Sequence, residues 1–98
     1  MIDIMEQIGL PALLEQLAEE CGELTQAALK LARLRRGDNP TPKTEEECLA
    51  ALTEEIADVE LCISILMLGG VVSDAEAWTM ICNKEDRWQK RLSQKGRQ

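Results

Sequence analysis

Apolar residues recur along this chain at intervals of three and four, the spacing that gathers side chains on one face of an α-helix. From residue 10 to 31 the stripe is Leu10, Leu13, Leu17, Cys21, Leu24, Ala28 and Leu31. From residue 48 to 66 it is Cys48, Leu52, Ile56, Val59, Ile63 and Leu66. A third segment places Trp78, Ile81, Cys82, Trp88 and Leu92 on one side. No stretch alternates apolar and polar residues for long enough to predict a strand. The pattern predicts an all-α fold.

Boundary residues sharpen that reading. Pro11 suits a first helical turn, where its missing N–H is no loss. Arg33, Arg35 and Arg36 complement a helix C-terminus and Gly37 can close it in the left-handed conformation, so a first long helix is expected over about Leu10–Arg36. Residues 37–43, rich in glycine, proline and short polar side chains, predict a turn. Thr44 with Glu47 forms a capping box that opens a second long helix, stopped at Gly69-Gly70. Ser73 with Glu76 opens a third, reaching about Ser93. Residues 2–8 form a short leading helix on this reading, and the tail over 94–98 frays. The whole is one helical domain, 1–98, with its core over about 10–92: an antiparallel hairpin plus a third long helix, completing a four-helix-type bundle by oligomerisation.

Polar residues interrupt the first two stripes at matching places, Glu19-Glu20-Cys21-Gly22-Glu23 and Glu54-Glu55-Ile56-Ala57-Asp58. Residues three apart are neighbours on a helix, which pairs Glu20 with Glu23 and Glu55 with Asp58. Each stripe is centred roughly 60° from its glutamate in the same sense, so both helices are expected to carry their acids at the edge of the buried face. Folding back about the turn brings level those positions whose numbers sum to nearly 80. Glu20 with Asp58 and Glu23 with Glu55 both sum to 78. Like charges that close repel unless a cation joins them or some are protonated. A divalent cation is the economical expectation; solvated surface charge is the alternative.

Composition narrows the chemistry. The chain has 98 residues, 45% hydrophobic, and a net charge of −7. A chain this short buries a modest core, which favours an oligomer that shares helices. Its acidity argues against a nucleic-acid polymer as partner, because that needs a basic stripe. Cys21, Cys48, Cys62 and Cys82 have no C-x-x-C spacing and no histidine beside them, so they are expected to be buried, reduced thiols in a cytoplasmic protein. The N-terminus lacks the pattern of a signal peptide, and no apolar run approaches the roughly 20 residues that span a bilayer.

Carboxylate oxygens suit Mg²⁺, with Mn²⁺ as a substitute; the loop signature of a calcium site is absent. Di-iron bundles combine glutamates with E-x-x-H motifs, and this chain has no histidine. Magnesium that keeps some of its waters is a usual partner of polyphosphates. No glycine-rich phosphate loop is present. Basic side chains offer phosphate contacts instead. Lys84, Arg87 and Arg91 share a side of the third helix, either as a solvated face or as phosphate contacts. Lys30 shares a side with Glu23, where it reaches the site or neutralises the acids. Trp78 and Trp88 are expected in the core, with base stacking as their other role.

The pattern Glu19-Glu20-x-x-Glu23 followed by Glu55-x-x-Asp58 resembles the signature of the MazG-like all-α nucleoside triphosphate pyrophosphohydrolases. Leu17–Lys30, the turn Asn39-Pro40-Thr41-Pro42 and Leu52–Val59 resemble small phage- or prophage-type members, and the likeness spans about residues 10–92. Thirty-one residues separate Glu23 from Glu55, toward the long end for that signature. The resemblance implies that Glu20, Glu23, Glu55 and Asp58 hold Mg²⁺ and that Glu19 orients or deprotonates the attacking water. Lys84 and Arg87 match its basic positions loosely. It implies cleavage of a nucleoside triphosphate to monophosphate and pyrophosphate, for house-cleaning or pool control, by a homodimer or homotetramer. A non-catalytic helical module that binds a partner or a nucleotide is the alternative reading.

Overall fold

The computed structural model describes residues 1–37 and 42–96. Among them are four helices and no strand: α1 (Ile4–Ile8), α2 (Leu10–Arg36), α3 (Glu45–Leu68) and α4 (Asp74–Lys95). Short polar side chains start three of them. The Asp3 carboxylate accepts the Glu6 N–H at 3.1 Å. At α3 the Glu47 N–H donates to Thr44 Oγ1 at 3.1 Å while the Thr44 N–H donates to Glu47 Oε1 at 3.0 Å, closing the box in both directions. The Ser73 hydroxyl accepts the Glu76 N–H at 3.1 Å. Helix α2 ends where Gly37, at φ 71°, turns left-handed and donates its N–H to the Arg33 carbonyl at 2.9 Å. Helix α4 runs two residues past the expected Ser93, and α1 is shorter than residues 2–8. The centre of the expected turn, residues 38–41, and tail residues 97–98 lie outside the described residues.

The chain divides into two compact units, Met1–Leu66 and Met67–Gln98. In the first, α2 and α3 run antiparallel. Leu13 packs on Cys62 and Leu66, with Leu17, Ile65 and Met5 of α1 against them. Arg35 at the other end of α2 pairs with Glu45 at the start of α3. The helices meet along a seam: Leu13, Leu17, Glu20, Leu24, Ala27, Leu31 and Leu34 from α2, and Cys48, Leu52, Glu55, Val59, Cys62 and Leu66 from α3. Steps of four and three alternate along both, the spacing that keeps one face of a helix on its neighbour.

This seam corrects the expected stripes. Leu10, Cys21, Ala28 and Ile56 are exposed, and Ala27 and Cys62 take seam positions in place of Ala28 and Ile63. The reason is that each helix is apolar over more than one neighbour can cover. An averaged stripe then points between the face that is packed and a second flank that the hairpin leaves open, where Leu14, Leu49 and Ile56 are 46%, 40% and 40% exposed.

In the second unit α4 buries none of its residues. Trp78 and Trp88, expected in the core, are 64% and 62% exposed. Of the four cysteines, all of them free, Cys48 and Cys62 are buried as expected whereas Cys21 and Cys82 are exposed. Core packing needs an opposing apolar surface, and among the described residues these four side chains stay exposed. Among the described residues no helix is long and apolar enough to cross a membrane.

Candidate functional site

One acidic layer interrupts the hairpin seam. Helical period places Glu20 and Glu55 in the seam itself, not at its edge as the averaged stripes suggested. Glu23 and Asp58 stand one step off it, on the flank opposite Cys21 and Ile56. Antiparallel register then sets Glu20 against Asp58 and Glu23 against Glu55, as the sums of their numbers indicated. Each of the four offers a carboxylate oxygen within 4.8 Å of the others.

Carboxylates have only acceptors to give one another. Glu20 Oε1 finds a donor in the Gln16 side-chain amide at 2.8 Å, one turn earlier on α2. Glu20 Oε2 and Glu55 Oε2 are buried atoms with no hydrogen-bond partner. A buried polar atom left unpaired costs stability, and a carboxylate resists it by holding its proton more tightly. Burial accordingly pushes the Glu20 carboxyl above its ordinary range; donation from Gln16 opposes this, and Asp58 and Glu23 add to it. Glu55 is raised first by burial, then by Glu23 beside it, with further repulsion from Asp58 and Glu20. The disturbance reaches Cys62, whose thiol is raised by burial and by the charges of Glu20 and Asp58.

Such a layer can gather a proton or a hard cation. Four convergent oxygen donors, with neither nitrogen nor sulfur among them, match the donor set of Mg²⁺ or Mn²⁺. The orphaned oxygens of Glu20 and Glu55 are the atoms whose cost such an ion removes.

The other expected residues fall outside this group. Glu19 is exposed, on the side of α2 toward which Glu23 also faces. Lys30 is exposed and lines a cleft between α2 and α3. Lys84 and Arg87 are exposed on α4, in the second unit. Gln16 was missed, although it precedes Glu20 by four residues, the spacing at which helical side chains meet. Cys62, expected only as a buried thiol, is set by the same register beside the acids. No family model matches this chain, and no curated protein or solved structure does either.

Proposed function

We propose that this chain is a Mg²⁺-dependent nucleoside triphosphate pyrophosphohydrolase of the MazG-like all-α kind, with Mn²⁺ as an alternative ion. The observation that carries the reading is the acidic layer: four carboxylates converge in a packed seam, and two of their oxygens are buried without a partner. A surface cluster formed by chance has no need of buried oxygens. A divalent ion held there supplies neutralising charge for polyphosphate oxygens and a more acidic bound water.

The chain's own residues divide the remaining work. Glu20, Glu23, Glu55 and Asp58 hold the ion, and Gln16 fixes the orientation of Glu20 by its amide donation. Water attacks the α-phosphorus, the bond from that phosphorus to the bridging oxygen breaks, and the electron pair leaves with pyrophosphate. Glu19 orients the attacking water or takes its proton. Lys30, Lys84 and Arg87 are the candidate phosphate contacts. The exposed apolar flanks of α2, α3 and α4 support a homodimer or homotetramer, and four free thiols fit a reducing cytoplasm.

The test is to incubate the protein with Mg²⁺ or Mn²⁺ and a panel of ribo- and deoxynucleoside triphosphates and to assay monophosphate and pyrophosphate. Turnover by the wild type and its loss in Glu55→Gln, with helix content intact, is the expected result. Turnover retained in that variant refutes the assigned site.

A further inference from the structure

The two oxygens of Glu20 stand in different surroundings. Oε1 accepts the Gln16 side-chain amide at 2.8 Å, one turn back along α2, whereas Oε2 is buried in the acidic layer without a partner. The amide thus holds the carboxylate with one oxygen turned toward the preceding turn and leaves the other to the layer. The convergence of the four acids within 4.8 Å is likewise a convergence of one oxygen from each. Gln16 itself is exposed, so the packing of the hairpin does not depend on it.

How many oxygens a carboxylate presents decides which divalent ion it suits. Mg²⁺ demands a nearly ideal octahedron at about 2.0–2.1 Å and keeps several of its waters, so single carboxylate oxygens suit it. Ca²⁺ takes about six to eight oxygens at about 2.3–2.6 Å, and a carboxylate helps to fill that larger shell by turning both oxygens to the ion. Four carboxylates giving one oxygen each leave Mg²⁺ room for water or phosphate oxygens and leave Ca²⁺ short of protein ligands. For Glu20 to bind through both oxygens, Oε1 must give up the Gln16 amide. A hydrogen bond to a charged group resists that loss, and water at this exposed position offsets only part of it.

We infer that Gln16 determines the ion specificity of the acidic layer: its amide holds Glu20 to one ligating oxygen and thereby sets the site for Mg²⁺ or Mn²⁺ against Ca²⁺. The inference rests on the reading of the layer as a divalent-ion site and adds to it ion selection by a residue that touches no ion. Gln16 is a positioning residue, acting through Glu20. Removing its amide has one further consequence, because donation from Gln16 opposes the effect of burial on the Glu20 carboxyl. Without it Glu20 holds its proton more tightly, which weakens every divalent ion alike. The ratio of Ca²⁺ to Mg²⁺ affinity is free of that common loss and reads selection alone.

The test is a calorimetric titration of Mg²⁺ and, separately, of Ca²⁺ into the full chain as wild type, Gln16→Met and Gln16→Lys. Methionine keeps the length of the side chain and loses the donor. Lysine keeps a donor and adds a charge that lowers both affinities together. The wild type is expected to favour Mg²⁺. In Gln16→Met the ratio is expected to move about tenfold toward Ca²⁺, the lower end of what a hydrogen bond to a charged group is worth. Gln16→Lys is expected to keep the wild-type ratio. Position 16 lies on the surface, so both variants keep the fold. Ca²⁺ bound by the wild type as tightly as Mg²⁺, an unchanged ratio in Gln16→Met, or an equal shift in Gln16→Lys overturns the role of the amide. No binding of either ion by the wild type removes the metal reading of the layer and this inference with it. Triphosphate turnover separates the remaining cases. Turnover with a ratio indifferent to Gln16 spares the hydrolase and removes the selection. Ion selection that depends on Gln16, without turnover of any triphosphate, keeps the selection and removes the hydrolase.

Discussion

Leu13 with Cys62 and Glu20 with Glu55 occupy equivalent places in one seam, seven residues apart along each helix. The backbone environment is the same, and the chemistry of the two layers is opposite. In the apolar layer Leu13 is 2% exposed and Cys62 5%, and every atom removed from water there favours the fold. In the acidic layer the same packing strands two carboxylate oxygens without donors. A chain that needed only a helical hairpin would be better served by leucine at 20 and 55, because a buried charge is often replaced by an apolar group without loss. The seam thus separates a layer that holds the hairpin together from one that costs it stability. A third layer, Ala27 with Cys48, is filled by small side chains, and the cleft opens there.

That contrast predicts opposite outcomes for two single changes. On the proposed hydrolase reading Glu55→Gln removes a ligand and is expected to lower triphosphate turnover at least about a hundredfold, since even the partners that orient metal ligands cost 10–100-fold when lost. The same change leaves the metal-free fold as stable as before or more so, because it withdraws one of four repelling charges and adds donors. Leu13→Ala is expected to cost about 2–5 kcal/mol in urea unfolding while turnover per folded molecule stays put. If Leu13→Ala stopped turnover in fully folded protein, or Glu55→Gln unfolded the chain, the two layers would not have separate duties.

How much of this was legible beforehand follows from the same layers. Helix ends were, because Thr44, Ser73 and Gly37 each carry a local hydrogen-bonding reason to sit where they do. The cross-helix pairs Glu20·Asp58 and Glu23·Glu55 were too, because antiparallel helices of equal rise fix register by arithmetic once the turn is placed. The rotation of each helix about its own axis was not. Apolar residues on two flanks of α2 and α3 pull an averaged stripe away from the seam, which hid the central position of Glu20 and Glu55 and gave Cys21 and Ile56 a burial they lack. Trp78 and Trp88 misled for a related reason: an amphipathic pattern states that a face seeks cover without stating which chain supplies it. The cleft was invisible because an absence of bulk at Ala27 and Ala51 leaves no positive mark on a helical wheel.

The open flanks supply a second contrast, between the hairpin and α4. Residues 1–66 carry fourteen acids and five bases, whereas residues 67–98 carry four acids and six bases. Both regions expose large apolar side chains, among them Leu14, Leu49, Trp78 and Trp88. Exposed apolar side chains of this size are what an interface would cover, and the proposed self-association follows from them. Light scattering is expected to give a mass of at least twice the 10.9 kDa chain. Leu14→Glu and Trp88→Glu, each harmless to an isolated chain, are expected to raise the dissociation constant at least about tenfold by burying an unpaired charge. A mass of 10.9 kDa for the wild type at high concentration would remove self-association from the reading.

The smallest expected effect is the most particular to the acidic layer, because of its sign. Glu20 and Glu55 hold their protons more tightly in the folded chain than in an unfolded one. Between the ordinary carboxylate value of 4.5 and their raised values, the folded state therefore binds more protons than the unfolded state. Stability contributed by these two groups is complete below that window and is lost as pH rises through it. A hydrogen-bonded or ion-paired carboxylate such as Glu47, whose value is lowered, behaves in the reverse sense. On the proposed reading a divalent ion competes with the protons for the same oxygens, so its stabilising effect is expected to grow over the window in which the metal-free protein weakens. Melting temperatures with and without Mg²⁺, measured from pH 4.5 upward, are expected to diverge as pH rises, and Glu55→Gln is expected to shrink the divergence. Parallel curves would mean that Mg²⁺ binds without displacing those protons, and the layer would then have no claim to it.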